Sequence, residues 1–292
     1  MWRGIWQPIE WSSTGVKLLY NVFTFIVLVL EYSLTLTQFM DIVFVVNNID
    51  DFVADSLMFV TMVAVCCKAT IVIIRRSAII DLIQALLKEP CKPREKDEVM
   101  IQTKFDKFIS LQTCAQFEIF ESRLRKLIAN KTIKCLEYSS VPPDNGRLII
   151  SEYIHHHLSI YKYAKTVNII FNQVLFVQFF SSILVLCTTV YYMSAHIMEF
   201  KGATFMVYTF CMFIQIYIYC WSGNEVILKS QNVGDAIYHM DWPLLSVGEK
   251  KDLLIIMIRG TIPIKFTSSF LITLSLQSYS NVSVSIIFIF EI

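Results

Sequence analysis

Three consecutive histidines, His155 to His157, are the side chains in this sequence that most readily suggest metal chemistry. Consecutive residues on a helix point around its axis and not to one face, so the three rings do not converge on one ion. No cysteine or carboxylate completes a site beside them. We expect a solvated helix start here and no metal, and we interpret His239 beside Asp241 as a solvated pair for the same reason.

Catalytic chemistry would need His, Asp, Glu or Cys side chains that converge on one place. No such set recurs at a usable spacing, which argues against an enzyme, and no cofactor is predicted. The eight cysteines show neither a CxxC pair nor a metal-binding spacing, so reduced structural thiols are expected. A transporter is disfavoured because Gly and Pro do not break hydrophobic segments at matching positions. Nucleic-acid binding is disfavoured because no basic stripe is present.

Three amides, Asn172, Gln173 and Gln178, lie inside an apolar tract that carries no charge from 166 to 198. A polar side chain in such a tract needs a partner within a helix bundle, or it contacts a ligand. Both interpretations stay open from the residues alone.

The elements that carry these side chains are predicted to be membrane helices. The chain is 55% hydrophobic and 17% charged, whereas an average soluble domain is about 25% charged. We predict an all-α polytopic membrane bundle in one domain spanning 1–292, with Lys68 snorkelling toward Arg75 and Arg76. The predicted spans lie at about 18–46, 52–74, 166–193, 203–222 and 266–290.

The placement of Lys and Arg predicts the orientation. Residues 75–107 and 123–165 carry eight basic residues each, whereas Asn47–Asp51 carries none. By the positive-inside rule the basic segments and the N-terminus are cytosolic, which is the reverse of a G-protein-coupled receptor. The stretch Phe108–Glu121 between the basic segments is too short to cross the membrane. The chain therefore has about five spans.

The stretch Tyr219–Trp242 passes from an apolar run into polar residues at i, i+4 spacing. This pattern is typical of a membrane helix that continues into water as an amphipathic helix and ends near Pro243. Glu225 and Lys229 are predicted to form an i, i+4 pair. An apolar side suited to subunit contact is predicted for Ile227, Val233, Ile237 and Met240.

Several stretches together resemble the insect odorant receptors, especially those of wasps, bees and ants. The similarity is carried by Tyr219–Trp242, Lys250–Ser280, Asp41–Ala69, Arg75–Ile109, Leu111–Leu127 and Ile154–Asn168. The resemblance implies seven helices, a cytosolic N-terminus, and an odorant-gated cation channel formed with a shared co-receptor as a hetero-oligomer, a tetramer. It also implies the plasma membrane of an olfactory neuron dendrite as the location, and small volatile apolar molecules as ligands, with membrane lipid around the helices.

Site residues follow from the resemblance and from helix faces. The candidate ligand residues are Phe59, Met62, Asn172, Phe176, Phe180, Leu184, Tyr208, Met212 and Gln215. Ordinary helix packing or lipid contact is the alternative for each. The resemblance places subunit assembly in a cytosolic anchor region, about 223–265, through Glu225, Lys229, Asp235, Asp241 and Trp242. It places the pore on the last helix, with Ser275, Gln277 and Ser278.

The sequence departs from the family pattern in two places. The pattern jumps between Ile109 and Leu111, so helices 3 and 4 are expected to be absent. The segment Val282–Ile292 differs from the pore-lining end of helix 7, and we interpret it as translated intron or a gene-model error. A non-functional receptor fragment therefore stays an alternative to a working receptor.

Overall fold

The computed structural model describes residues 14–45, 49–105, 109–136, 144–196, 200–269 and 272–290. These residues are almost entirely helical, which confirms the predicted all-α class. A 3₁₀ turn lies at Trp242–Leu244, and two short strands, β1 (Thr267–Ser268) and β2 (Ile272–Thr273), form an antiparallel pair. The helices are α1 (Thr14–Phe44), α2 (Ile49–Ile74), α3 (Arg76–Leu87), α4 (Lys96–Lys104), α5 (Ile109–Leu136), α6 (Asp144–His196), α7 (Phe200–Tyr238), α8 (Val247–Gly260) and α9 (Leu276–Phe290).

Four helices of the described chain are long and apolar enough to cross a membrane. The segments are Leu18–Phe44, Asp51–Ile74, Ile150–Val190 and Phe205–Tyr238. Helix α7 continues without a break beyond the apolar tract to Tyr238, as the polar pattern after Tyr219 predicts. Helix α6 begins at Asp144, well before the span predicted from 166.

The structure differs from the predicted fifth span, 266–290, in its first part. Thr267–Ser268 and Ile272–Thr273 form the two strands instead of helix, and α9 begins only at Leu276. The 15 residues of α9 are fewer than the roughly 20 that cross a bilayer core. The dense β-branched and hydroxyl residues of this stretch weaken helix formation, and neighbouring helices provide partners for the extended backbone.

The described residues fall into two compact units, and helices α6 and α7 contribute to both. Unit 1 comprises Met1–Ile74, Val174–Ile214 and Val284–Ile292, and unit 2 comprises Arg75–Gln173 and Gln215–Ser283. The expectation of one receptor domain over 1–292 stays a prediction.

Unit 1 contains α1 and α2 packed side by side. The Tyr32 hydroxyl contacts Thr70, and the Thr35 hydroxyl lies 3.3 Å from the Cys66 thiol. Most large apolar side chains of α1 are exposed, as expected for a helix surrounded by lipid. Lys68 does not snorkel toward the arginines. Its ammonium group donates to Oε1 of Gln178 on α6 at 2.6 Å, so a polar partner within the bundle satisfies it.

Unit 2 is built on an apolar core between α5, α6, α7 and α8. Phe117, Phe120 and Leu124 of α5 pack with Ile160 of α6. The core is completed by Val233, Ile237, Leu245, Leu253 and Ile256. Helix α8 begins with a capping box in which Ser246 and Glu249 satisfy each other's backbone N–H groups. This fixes the chain direction between the end of α7 and α8.

Candidate functional site

Four of the predicted ligand residues on α2 and α7 lie in unit 1, namely Phe59 and Met62 on α2 and Tyr208 and Met212 on α7. The hydroxyl groups of Thr61 and Tyr208 are 2.6 Å apart, so α2 and α7 meet at the depth of Met62. Phe59 packs against Phe39 of α1 with ring centroids 5.8 Å apart. Met62 and Tyr208 are half-buried, whereas Met212 is buried.

The predicted face of α6 carries a stacked aromatic pair, in which Phe176 is half-buried and Phe180 is exposed. The rings of Phe176 and Phe180 stack at a centroid distance of 6.0 Å with 17° between their planes. Phe180 is 56% exposed and Leu184 is also exposed, while the neighbouring Phe179 is buried. This side of α6 is therefore free for lipid or for an apolar ligand, and the opposite side forms the packing face.

Two of the predicted ligand residues have protein partners instead. The Oδ1 atom of Asn172 accepts a hydrogen bond from the backbone N–H of Ser269. Gln215 shares a side-chain hydrogen bond with Tyr219 one turn along α7. Both amides lie in unit 2, which makes them structural partners of neighbouring backbone and side chains.

The pairing in the anchor region differs from the prediction. Lys229 donates to Oε1 of Glu118 on α5 at 2.5 Å, and the expected pair with Glu225 is not among the ion pairs of the described residues. The apolar side of this helix also differs. Val233 and Ile237 are buried in the core of unit 2, so they are not available for subunit contact.

The remaining anchor residues lie on the polar side of α7 and beyond its end. Asp235 and Asp241 are exposed, as is His239, and they line a cavity of about 520 Å³ with Glu121 and Arg125. Beyond them, Nε1 of Trp242 donates to the Tyr238 carbonyl at 3.1 Å.

The prediction that the consecutive histidines lie at a solvated helix start is wrong for His156 and His157. His156 and His157 are each only 2% exposed and lie within the helix, since α6 begins at Asp144, twelve residues before His156. Nε2 of His156 lies 3.2 Å from Oε1 of Gln116, and the His157 ring stacks edge-on against Tyr161. Among the described residues, no group of three or more His, Cys, Asp or Glu side chains could hold a metal ion.

Sequence reasoning missed the buried ion pair beside these histidines. Arg123 of α5 contacts Glu98 of α4 twice, with Nε–Oε1 at 2.9 Å and Nη2–Oε2 at 2.8 Å. Arg123 also donates to the carbonyls of Pro90 and Lys92 at 2.7 Å each. The pair therefore fastens the loop between α3 and α4 to α5. The sequence signal for this ion pair was the mixture of positive and negative charges around that loop. That signal does not identify the partners, because Arg123 and Glu98 lie far apart in sequence.

The predicted pore residues begin α9. The backbone N–H of Ser278 donates to the Ser275 hydroxyl at 3.2 Å, so Ser275 caps the first turn. Gln277 is exposed and donates to Asn281 at 3.1 Å. The strand pair lies just before this helix, and Leu274 between them contacts α7 at Gly223.

Comparison with known proteins decides the family. The sequence model of the family described as 7tm odorant receptor matches residues 105–286, which is more than half of the chain. This chain belongs to the odorant receptor family. The match includes α5 through α8 and most of α9, with the buried Arg123 and the anchor region.

Curated relatives are similar over shorter stretches. Odorant receptor 22c of Drosophila melanogaster is 23% identical over 51% of this chain and 38% of its own length. Odorant receptor 10 of Aedes albopictus is 27% identical over 47% of this chain and 36% of its own length. Odorant receptor Or2 of Anopheles gambiae is 28% identical over 47% of this chain and 37% of its own length. The chain therefore spans well under half the length of the curated odorant receptors it matches.

The fold is that of a solved odorant receptor. The structure of the insect olfactory receptor OR5 from Machilis hrabei superposes with a TM-score of 0.70 at 14% identity, covering 98% of this chain and 92% of that chain. At this identity the similarity concerns the fold, a helical membrane bundle. The chain is a multi-pass membrane protein, and its relatives are receptors and not enzymes.

Proposed function

We propose that this odorant receptor family member detects small apolar volatile molecules and acts as a subunit of an odorant-gated cation channel. The observation that carries the proposal is the family match over residues 105–286, joined to a fold similar to a solved olfactory receptor. A similar structure is that of OR5 from Machilis hrabei in complex with eugenol. That structure supports a small organic molecule as the ligand class here.

The ligand is proposed to contact the exposed aromatic face of unit 1. Small-molecule sites are mostly apolar and carry a few placed polar groups. Phe176, Phe180 and Leu184 offer the apolar surface, and the Thr61–Tyr208 hydroxyl pair offers polar atoms in the same unit. Phe59 and Met62 are proposed as further ligand contacts on α2. Met212 is proposed to support the lining from its buried position, whereas Asn172 and Gln215 are proposed as positioning residues.

The partner is proposed to be an odorant co-receptor subunit in the plasma membrane of an olfactory neuron dendrite. Assembly through the anchor region has to use surfaces that the chain leaves free. Helix α8 exposes Leu254, Ile255 and Ile258 on one side, and Asp235 near the end of α7 and Asp241 just beyond it are also exposed. The pore is proposed to include Ser275, Gln277 and Ser278 at the start of α9, where hydroxyl and amide groups can face water.

A second candidate is a receptor fragment that does not signal. It is favoured by the four candidate spans of the described chain and by the short share of each relative that the chain matches. The two candidates predict different electrical behaviour, since a fragment that lacks part of a ligand site or pore gives no odorant-evoked current.

The deciding experiment expresses the chain with an odorant co-receptor and records current during an odorant panel that includes eugenol. Surface biotinylation measures delivery, and the co-receptor alone gives the baseline. An evoked current above that baseline supports the channel. Loss of that current in Phe180→Ala at unchanged surface delivery supports the aromatic face, with the buried-side Thr189→Val as control. Surface delivery without any evoked current would establish the fragment. Failure of Ile255→Asp to reduce co-purification with the co-receptor would remove α8 from the interface.

A further inference from the structure

The segment that precedes α9 is held by side chains from other helices. The β1–β2 pair has two residue pairs, Thr267 with Thr273 and Ser268 with Ile272, and the Leu274 N–H donates to the Phe266 carbonyl at 2.8 Å. An isolated two-stranded hairpin is marginally stable at best. Its position must therefore depend on partners outside the hairpin.

Two asparagines of α6 supply those partners. Oδ1 of Asn168 accepts from the Thr267 N–H at 2.9 Å, and its Nδ2 donates to the Thr267 hydroxyl at 3.3 Å. Asn172 accepts from the Ser269 N–H. Residues four apart lie on one helix face, and N–H groups two apart point to one edge of a strand. The two amides, here called the asparagine latch, therefore take the place of a third strand along β1.

The latch holds a backbone that would not adopt this shape unaided. Ser269 has φ of 46°, in the left-handed region that an ordinary L-residue seldom occupies. Such a conformation persists only where surrounding contacts impose it. The hydrogen bond from its N–H to Asn172 is one of those contacts.

Helix α7 closes the other side of the segment. A Cβ atom on Gly223 would lie 2.4 Å from Leu274 Cβ and 2.5 Å from the Leu274 carbonyl oxygen, so only glycine permits this approach. Further back, the Ile264 N–H donates to the Ser230 hydroxyl at 3.1 Å. Since α9 begins at Leu276, these contacts fix where that helix starts.

We propose that the asparagine latch of Asn168 and Asn172 positions the start of α9 and sets how much current flows without odorant. This inference rests on the proposed channel function. Helix α6 runs without a break from the latch to the aromatic face, and Asn172 lies one turn before Phe176. A ligand that favours one position of α6 thereby favours one arrangement of the hairpin. We assign the latch bonds to the resting arrangement, so that breaking them favours the open one.

The test records odorant-free current per surface receptor after co-expression with the co-receptor. Asn172→Leu is expected to raise this current about 2- to 10-fold, the range for one net hydrogen bond. Thr166→Val is the matched control, because its hydroxyl donates only within α6, to the Lys162 carbonyl at 2.9 Å. Where Asn172→Leu does not reach the surface, Thr267→Val removes only the hydroxyl acceptor of Asn168 and should give a smaller rise of the same sign.

A cysteine pair tests the opposite effect, a decrease in current when the latch is held closed. Asn172→Cys with Ser269→Cys should form a disulfide under mild oxidant, lower both odorant-free and eugenol-evoked current, and recover with reductant, whereas either single variant should not. Evoked current in the unmodified chain, with Asn172→Leu equal to Thr166→Val, overturns the latch and leaves the channel function standing. No evoked current in the unmodified chain overturns the channel function and with it the gating role. In that case a failure of the cysteine pair to cross-link also overturns the positioning role.

Discussion

Replacement of Arg123 on α5 by methionine is expected to destabilise unit 2 more than the removal of any single charge in the loop between α3 and α4. Arg123 is 8% exposed and Glu98 is 2% exposed, and four hydrogen bonds join Arg123 to Glu98 and to two loop carbonyls. Removing one partner of a buried pair leaves the other charge without compensation, which costs about 3–5 kcal/mol. Methionine keeps a long apolar side chain, so the loss reports the charge and its bonds rather than a cavity.

The assay is the apparent melting temperature of the purified chain in detergent, followed by tryptophan fluorescence at a fixed heating rate. At about 2–4 °C per kcal/mol for a large domain, the expected decrease is on the order of 10 °C. Arg125→Met is the matched control, since Arg125 is exposed and pairs with Glu121 one turn away. An exposed pair of this kind contributes about 0.3–0.5 kcal/mol, so its melting temperature should change by less than about 2 °C.

The double variant Arg123→Met with Glu98→Met separates the charge from the packing. Replacing both members of a buried pair by apolar side chains is often close to neutral. The double variant should therefore melt above Arg123→Met alone. Equal melting of Arg123→Met and Arg125→Met, or a double variant less stable than Arg123→Met, would refute the reasoning from an uncompensated buried carboxylate.

Three further outcomes follow from the same unit. Gly223→Ala should lower stability by about 1–3 kcal/mol in the same melting assay because it overpacks the segment before α9, while Gly248→Ala, which meets nothing within 4 Å, should not destabilise. Burial opposes ionisation of Glu98, but its hydrogen bonds and nearby cations outweigh this and lower its pKa below 4.5. The stability that ionised Glu98 contributes is thus present above about pH 4.5 and is lost as the pH falls through the lowered pKa. In melting curves at acid pH, Glu98→Gln should therefore lose less stability than the unmodified chain. Burial raises the pKa of the Cys91 thiol to about 11 and of Cys114 to about 12, so mass spectrometry should find both unlabelled by maleimide at neutral pH until denaturant is added.

Local patterns in the sequence were enough to predict the long helices. Apolar tracts mark α1 and α2, and the change from apolar to i, i+4 polar spacing after Tyr219 predicts that α7 continues into a more polar environment. These signals are local, because a helix satisfies its backbone within itself and shows its surroundings through periodicity. The all-α class followed from them, whereas the receptor family came from the resemblance of several stretches to insect odorant receptors.

The polar interior of unit 2 could not be predicted because its partners are distant in sequence. Arg123 and Glu98 are 25 residues apart, and His156 is 40 residues from Gln116. The rule that histidines and charges are solvated fails where each is given a buried partner. Lys68 and Gln178, 110 residues apart, are the corresponding case in unit 1.

The hairpin before α9 escaped prediction for a related reason. Its residues carry few charges and read as the start of a membrane helix. The alternative, extended backbone, becomes possible because Asn168 accepts from the N–H of Thr267 in β1 and Asn172 accepts from the N–H of Ser269 just after it. The same two amides were open to a ligand interpretation, and periodicity alone does not distinguish a ligand from a backbone partner.

The contacts that the anchor region makes within the chain also restrict how such a receptor could assemble. An amphipathic helix has one apolar side, and on α7 that side is buried in the core through Val233 and Ile237. The pair between Lys229 and Glu118 fixes a second side against α5. Among the described residues of this region, the polar side of α7 and the apolar side of α8 around Ile255 are exposed. We therefore propose that subunit contact through this region combines an apolar patch on α8 with charged groups on α7. The charged part would set orientation and the apolar part most of the affinity, because charges at an interface contribute more to specificity than to binding strength.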